Sequence, residues 1–478
     1  MADFGFVGAA YQAPSIYQNA SECINFYTEV DATKQEPERG TIALYPTPGL
    51  LRKLQLDAAE VRGMYVLPGG QSMLAICGAS VYIIGANFTS TLIGSLNTSA
   101  GQIGMADNGI SIYIGDGPNR YSYNIASQLL ATIAPSDGGF SGSSAVSYVD
   151  DFFVYNNPAT NQWGATSPLS TVSPNLSFSS KDSGSGNLVT LIADHREVFL
   201  LGERDTERWV NVGSFPFPFQ RIPGASIQHG CAAKYSVKRL GESIAFLSQD
   251  DRGQAVVVQM QGYQPKRIST HAVENDINTG VISDAVAYTY QLEGHEFYVL
   301  NFPSQDKTWV YDLATSAWHK RASRDDLNNL HRHRGNCSAV FQGLVLVGDY
   351  ANGKIYSLDA KTYTDDGVAI LRMRRCMHLT HELKRIYHHS LQIQFQPGVG
   401  LETGQGSDPQ VMLRWSDDGA STWSQYYPLK IGKTGAYRNR AVKRVLGAAR
   451  DRVYEVTITD PVNAVIISAE LQTSEGSN

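Results

Sequence analysis

Between residues 61 and 360 the chain repeats one pattern of apolar and polar positions. An apolar run meets a turn containing Gly, Asp or Asn, and a second run, often aromatic, follows. Met73–Gly78 leads into Val81–Gly85, Ile103–Met105 into Ile112–Gly115, and Ala145–Val149 into Phe152–Tyr155. Leu188–Ile192 pairs in the same way with Val198–Gly202, Ser243–Leu247 with Ala255–Val258, Ala287–Tyr290 with Glu296–Leu300, and Ala339–Phe341 with Leu344–Gly348. Short runs bounded by turn residues predict strands, and each pair predicts a hairpin. The hairpins recur at spacings of roughly 30–55 residues, centred in the low forties.

That recurrence predicts an all-β chain built on a β-propeller, because one hairpin sheet cannot bury both faces until its neighbours close a ring. A two-sheet sandwich, or several of them, also repeats hairpins and remains the alternative. Seven hairpins are visible, but closure can merge the first with the last, so six or seven blades are expected. Trp309–Trp318 is the sharpest copy and is similar to the V-Y-D-x-x-T-x-x-W edge of kelch-like blades. Asp312 and Thr315 are expected to bond the turn, and the tryptophans to fill the space between blades.

The flanks read differently. Residues 1–60 hold Pro14, Pro37, Pro46 and Pro48 and a charged turn, Lys34–Gly40, which predicts an extended N-terminal arm with one or two short strands. After about 361 the alternation becomes strict in Leu391–Phe395, and Val411–Trp415, Val453–Ile458 and Val465–Leu471 follow, predicting a C-terminal β-sandwich-like domain. The expected division is therefore 1–60 arm, 61–360 propeller and 361–478 sandwich. Within the propeller, Ser167–Asn187 is expected to be an exposed loop. Phe215–Phe219, interrupted by two prolines, either packs locally or forms a contact surface, and local packing is favoured.

Composition narrows the class. Only 18% of the 478 residues are charged, below the usual quarter or so, while 44 are glycine. That mixture disfavours helical bundles and disorder. Five scattered cysteines without a C-x-x-C pair fit a reducing compartment rather than a disulfide framework. Met1–Gly5 lacks the basic stretch of a signal peptide, and the most apolar run is about 14 residues, too short to span a bilayer. The net charge of −6 hides a division: residues 371–452 carry fourteen Lys/Arg against six Asp/Glu, which leaves −14 for the rest.

Candidate chemistry is sparse. Cys376, His378, His381, His388 and His389 are close in sequence, but the spacing matches no zinc site, and a polar, cationic strand surface is expected instead. His331–Arg334 is expected to be a solvated basic turn. Arg221-Ile222-Pro223 is similar to the R-I-P segment of sialidases, and Ser416–Trp423 resembles their Asp-box. In it Ser416, Asp418, Thr422 and Trp423 match the pattern and Ala420 stands where glycine is usual; Gly419 is counted with them as part of the structural hairpin. The box has a structural role: its Asp closes the turn and its Trp buries against the sheet. No nucleophile elbow, P-loop or H-E-x-x-H occurs. No catalytic residue, cofactor or metal is assigned.

Three stretches in order carry a family resemblance: Tyr17–Tyr27 leading to Tyr45–Leu50, His295–Asp312, and Val411–Gly419 continuing to Lys443–Val453. Together they resemble the packaged-DNA stabilisation proteins of short-tailed bacteriophages, also called tail hub or nozzle proteins. The resemblance implies a virion protein, assembled in the host cytoplasm as a homohexameric ring below the head–tail adaptor. It would extend the DNA channel, retain packaged double-stranded DNA and hold a tail needle, plug or fibre. Arg374, Arg375, Lys443 and Arg444 are the candidate assembly contacts. A sialidase-like glycan-active enzyme and a receptor-binding tail fibre are the competing readings.

Overall fold

The computed structural model describes residues 2–34, 41–250, 252–382 and 384–476. The charged turn expected at Lys34–Gly40 lies, beyond Lys34, outside the described residues. Seven blades of four antiparallel strands follow one another along the chain, five of them separate sheets and two of them, blades 6 and 7, parts of larger sheets. Blade 1 is Val61–Val66, Ser72–Cys77, Ser80–Gly85 and Ser90–Ser95, and blade 2 is Gly104–Asp107, Ser111–Gly115, Arg120–Asn124 and Leu129–Thr132. Blade 3 is Val146–Val149, Phe152–Asn156, Gln162–Ala165 and Phe178–Ser180, and blade 4 is Leu188–Asp194, Glu197–Gly202, Thr206–Asn211 and Phe219–Arg221. Blade 5 is Lys238–Leu240, Ser243–Gln249, Ala255–Gln261 and Gln264–Arg267, and blade 6 is Val286–Leu292, His295–Phe302, Lys307–Asp312 and Ala317–Lys320. In blade 7, Gly335–Phe341, Leu344–Asp349 and Lys354–Asp359 are joined by Gly49–Gln55 from the beginning of the chain. Among the described residues no helix is long and apolar enough to cross a membrane.

Each blade is buried on both faces in its middle strands, which explains their nearly continuous apolar runs. The core is divided into clusters between neighbours. Trp163, Leu191, Leu200, Trp209 and Phe219 pack between blades 3 and 4. Leu247, Val257, Leu300, Trp309 and Trp318 pack between blades 5 and 6. Val61, Met73, Phe341, Leu346 and Ile355 join blade 7 to blade 1, so the ring closes. Closure is sealed within blade 7 by the pairing of Gly49–Gln55 with Lys354–Asp359, from Gly49↔Asp359 to Gln55↔Lys354. Gly49 is required there, because a side chain would strike the carbonyls of Thr362 and Thr364.

The first sixty residues do not form a separate arm with one or two short strands. Ala2–Asp3, Glu22–Ile24, Phe26–Val30 and Ile42–Pro46 all enter the C-terminal sandwich. One sandwich sheet runs Phe26–Val30, Ile42–Pro46, Ile466–Glu475, Ile386–Phe395, Ala441–Arg444. The other runs Glu22–Ile24, Arg372–Arg375, Asp451–Ile458, Gln410–Ser416, Tyr427–Lys430, and it continues into blade 6 through the parallel contact of Ile24 with Lys320. Phe6, Phe26 and Leu44 pack with Leu391, Val411, Tyr454 and Ile466 in one core. The apolar side chains near the start of the chain have no other place to be buried.

Two further expectations change. Ser167–Asn187 is not wholly an exposed loop: it contains Phe178–Ser180 and buries Ser173, Ser177 and Lys181. Tyr155 donates to Ser173 Oγ at 2.7 Å, so a polar residue can be buried there without loss. His331–Arg334 is not a solvated turn. His331 sits between Asp306 (2.7 Å) and Asp325 (3.2 Å), Arg332 lies over the Tyr350 ring, and His333 is buried, its pKa pushed well down by desolvation. In Phe215–Phe219, Phe217 and Phe219 pack on Trp163 and Trp209, whereas Phe215 is 96% exposed.

Candidate assembly surface

The sandwich ends on one side in two edge strands, Tyr427–Lys430 and Ala441–Arg444, one from each sheet. Pro428 is compatible with an edge because it has no N–H to donate. Ala441–Arg444 pairs with Ile386–Phe395 in the register Ala441↔Ile393 to Arg444↔Ser390, which buries Ala441 and leaves Arg444 exposed. The connecting segment turns through Gly432 and Gly435, with Ile431 anchored in the core.

This edge is strongly cationic. Residues 419–450 contain seven Lys/Arg and no Asp or Glu. Lys430 and Lys433 share one countercharge, Asp408, at 3.0 and 3.8 Å. Lys443 lies over the Tyr427 ring at 4.2 Å, and Arg440 donates to the Gln392 amide oxygen at 3.4 Å. Arg438, Arg444 and Arg450 are exposed. Apolar groups stand among the charges: Tyr426, Tyr437 and Val445, the last 88% exposed. Charges on an edge strand also discourage indiscriminate strand pairing. Arginine and tyrosine around an exposed apolar residue are the mixture enriched at protein interfaces.

The four residues expected as assembly contacts do not share one place. Arg374 must be withdrawn as a surface contact. It is buried in the sandwich, donating from Nε to the Phe6 carbonyl at 2.7 Å, and desolvation lowers its pKa. Arg375 is occupied internally, bonding Glu455 at 2.9 and 2.7 Å and pairing with Glu22 at 3.2 Å. Arg414 takes the other oxygen of the buried Glu455, and both arginines stack on Trp423. Only Lys443 and Arg444 belong to the open edge. Lys430, Lys433, Arg438, Arg440 and Arg450 belong with them and were missed; their signal is the 32-residue stretch free of acidic residues.

Ser416–Trp423 forms the turn beside this edge. Ser416 Oγ donates to Asp418 Oδ1 at 2.7 Å, and the same oxygen accepts the Thr422 N–H at 2.8 Å. Thr422 Oγ1 donates to Asp418 Oδ2 at 2.6 Å. These bonds, the Thr422 hydroxyl foremost, hold the Asp418 pKa at about 2. Gly419 has φ +71° and lies against Tyr17, while Ala420 adopts φ +72° where glycine is usual. The histidines near 376–389 are spread among separate partners. His378 Nδ1 meets Asp451 at 2.8 Å, His388 is buried against Tyr454, and His389 meets Ser474. No metal-binding group of residues occurs among the described residues.

The propeller axis is a second concave place, of about 650 Å³, lined by the first strand of every blade. Tyr65 donates to Asp107 there at 2.5 Å, but Arg62 is used up on the carbonyls of Gly78, Thr98, Ala100 and Gly101. Arg221 of the R-I-P segment points instead to Glu207, at 3.7 Å.

Comparison with known proteins agrees with this two-part architecture. A family model described as "Bacteriophage P22 Gp10, beta-propeller" matches residues 27–363, and one described as "Bacteriophage P22 Gp10, beta-sandwich" matches residues 372–474. No curated protein sequence matches the chain. Among solved structures, the WD40 propeller domain of Doa1 aligns at TM-score 0.40 and 9% identity, covering 66% of this chain and 97% of that one. The N-terminal domain of Nup159 aligns at TM-score 0.40 and 12% identity, covering 70% and 98%. The extracellular domain of BT4673 from B. thetaiotaomicron aligns at 0.44 and 9%, covering 76% and 45%. Seven closed blades, a sandwich sharing a sheet with the sixth, and two family matches in that order place the chain in the packaged-DNA stabilisation family of short-tailed bacteriophages, as a structural protein of the phage tail.

Proposed function

We propose that the chain assembles in the host cytoplasm as a homohexameric ring below the head–tail adaptor, extends the DNA channel, helps retain packaged double-stranded DNA and anchors a needle, plug or fibre. The observation that carries this reading is the open edge of the sandwich, with seven cations, apolar residues among them and Asp408 shared between Lys430 and Lys433. Such a surface suits an acidic protein partner, either adaptor subunits or the net-acidic remainder of a neighbouring copy. The same acidic remainder offers DNA few compensating cations, so DNA passes with little phosphate adhesion.

The test combines native mass with charge reversal. The unmodified chain should form a six-fold ring with a central channel, seen by native mass measurement or electron microscopy. Lys443→Glu with Arg444→Glu and Arg440→Glu should leave the fold intact, because these side chains lie outside the core, and should abolish joining to the ring or adaptor. Normal assembly by that folded triple variant would refute the reading.

A further inference from the structure

Blades 3 and 4 enclose an arrangement that the assembly role does not use. Lys181 follows the outer strand of blade 3, Phe178–Ser180, and its side chain is fully buried. Its ammonium is in direct contact with Asp205 Oδ1, in the turn between Glu197–Gly202 and Thr206–Asn211 of blade 4. The contact lacks hydrogen-bond alignment, and among the described residues neither Lys181 Nζ nor Asp205 Oδ1 has a hydrogen-bond partner elsewhere. Gly202 leaves the space for the lysine stem, since any side chain there would collide with Lys181 Cε.

The second carboxyl oxygen is prepared differently. Ser183 Oγ donates to Asp205 Oδ2. The turn carrying Ser183 is fixed by the buried Glu207, which accepts the N–H of Asp182 at 2.8 Å and that of Ser183 through Oε1, and the Trp209 indole N–H at 2.8 Å through Oε2. A fully buried primary amine, a nearly buried carboxyl carbon and a partly buried donor to the carbonyl oxygen are thus held together. As an ion pair this is a poor arrangement, because the charges are desolvated and their remaining bonding capacity is unmet. As a reactant pair it is favourable, because position and dehydration are already supplied by the fold.

From this we propose that Lys181 and Asp205 condense into an intramolecular isopeptide bond. One ammonium proton of Lys181 passes to the Asp205 carboxylate, giving an amine and a carboxylic acid. The amine nitrogen attacks Cγ, and the Ser183 hydroxyl stabilises the developing oxyanion on Oδ2. A second proton moves from nitrogen to the departing oxygen. The C–O bond breaks, one water leaves and an amide joins Nζ to Cγ. No oxidant, cofactor or second protein is consumed. The product is neutral, removes two buried charges and ties the outer strand of one blade to the hairpin of the next.

Denaturing mass spectrometry of the purified full-length chain tests this directly. The expected mass is below the sequence mass by one water, about 18 Da. Tryptic digestion should give a branched species joining the segments that hold Lys181 and Asp205, with no cleavage after Lys181. Lys181→Arg and Asp205→Ala should each show their full sequence mass. A wild-type chain at full mass with a cleaved Lys181 overturns the proposal, and so does a one-water deficit that persists in either variant. The deciding measurement is made on the wild-type chain, so it stands whether or not the variants fold.

Discussion

Single residues show where the physical constraints are sharpest. Arg374 is an arginine used as internal scaffolding, spanning from the strand Arg372–Arg375 to the carbonyl of Phe6. Replacing it with Ala should cost about 3 kcal/mol, since a buried group loses its partners; chemical denaturation would measure this, and an unchanged midpoint would contradict its burial. Gly419→Ala should cost roughly 1–2 kcal/mol, because φ is +71° and the new methyl would sit 2.6 Å from Tyr17. His319 is buried beside Phe297, and desolvation, with the Arg321 charge next, pushes its pKa down to about 3. It stays neutral when folded and takes up a proton only on unfolding. Its contribution is complete above about pH 6.5 and is lost as pH falls toward 3, about 3 kcal/mol by pH 4. A His319→Gln variant should therefore show a weaker fall in stability between pH 6.5 and 4 in thermal melts.

At the scale of elements, what the chain pattern revealed depended on depth. The hairpins visible in the sequence are the inner or middle strands of each blade, such as Leu188–Asp194 with Glu197–Gly202, where burial demands apolar runs. The outer strands carry no such run. Leu129–Thr132, Phe178–Ser180 and Gln264–Arg267 are short and contain no buried residue, so burial imposes no apolar run on them. Gly49–Gln55 was hidden for another reason: its partner Lys354–Asp359 lies about three hundred residues away, and no local pattern encodes that pairing. Leu50, buried between blades 6 and 7, makes the closure testable, and Leu50→Ala should cost about 3 kcal/mol of unfolding free energy. A second junction is electrostatic. His295 of blade 6 lies 2.8 Å from Asp312 and 2.6 Å from Glu29 of the sandwich. Burial disfavours its charge, but the Glu29 and Asp312 bonds outweigh burial and raise its pKa. That contribution is full below about pH 6.5 and fades as pH rises through the raised value. Thermal melts from pH 6 to 9 should show a fall that His295→Gln flattens.

At the scale of the molecule, the uneven charge reported by composition proved more informative than its total. Residues 371–452 are basic, yet their cations divide by role. Arg374, Arg375, Arg414 and Arg452 are internal, and Lys443 and Arg444 face outward with five others. Sequence gave no means of separating them, because strand register and sheet order decide which side of the sandwich each one faces. If the cationic edge drives assembly, ring formation should weaken as salt rises from about 50 mM to 0.5 M, followed by native mass, while the thermal midpoint of the subunit changes little.

The order in which strands meet also governs how the subunit can be made. Ala2 pairs with Leu471, and Glu22–Ile24 waits for Arg372–Arg375, so these strands leave the ribosome several hundred residues before their partners do. Blade 7 needs Lys354–Asp359 before Gly49–Gln55 has an edge to join. A chain stopped short of the sandwich therefore leaves its earliest apolar strands uncovered. Prematurely ended products should then be held by chaperones or cleared by proteases rather than compete for places in a growing tail.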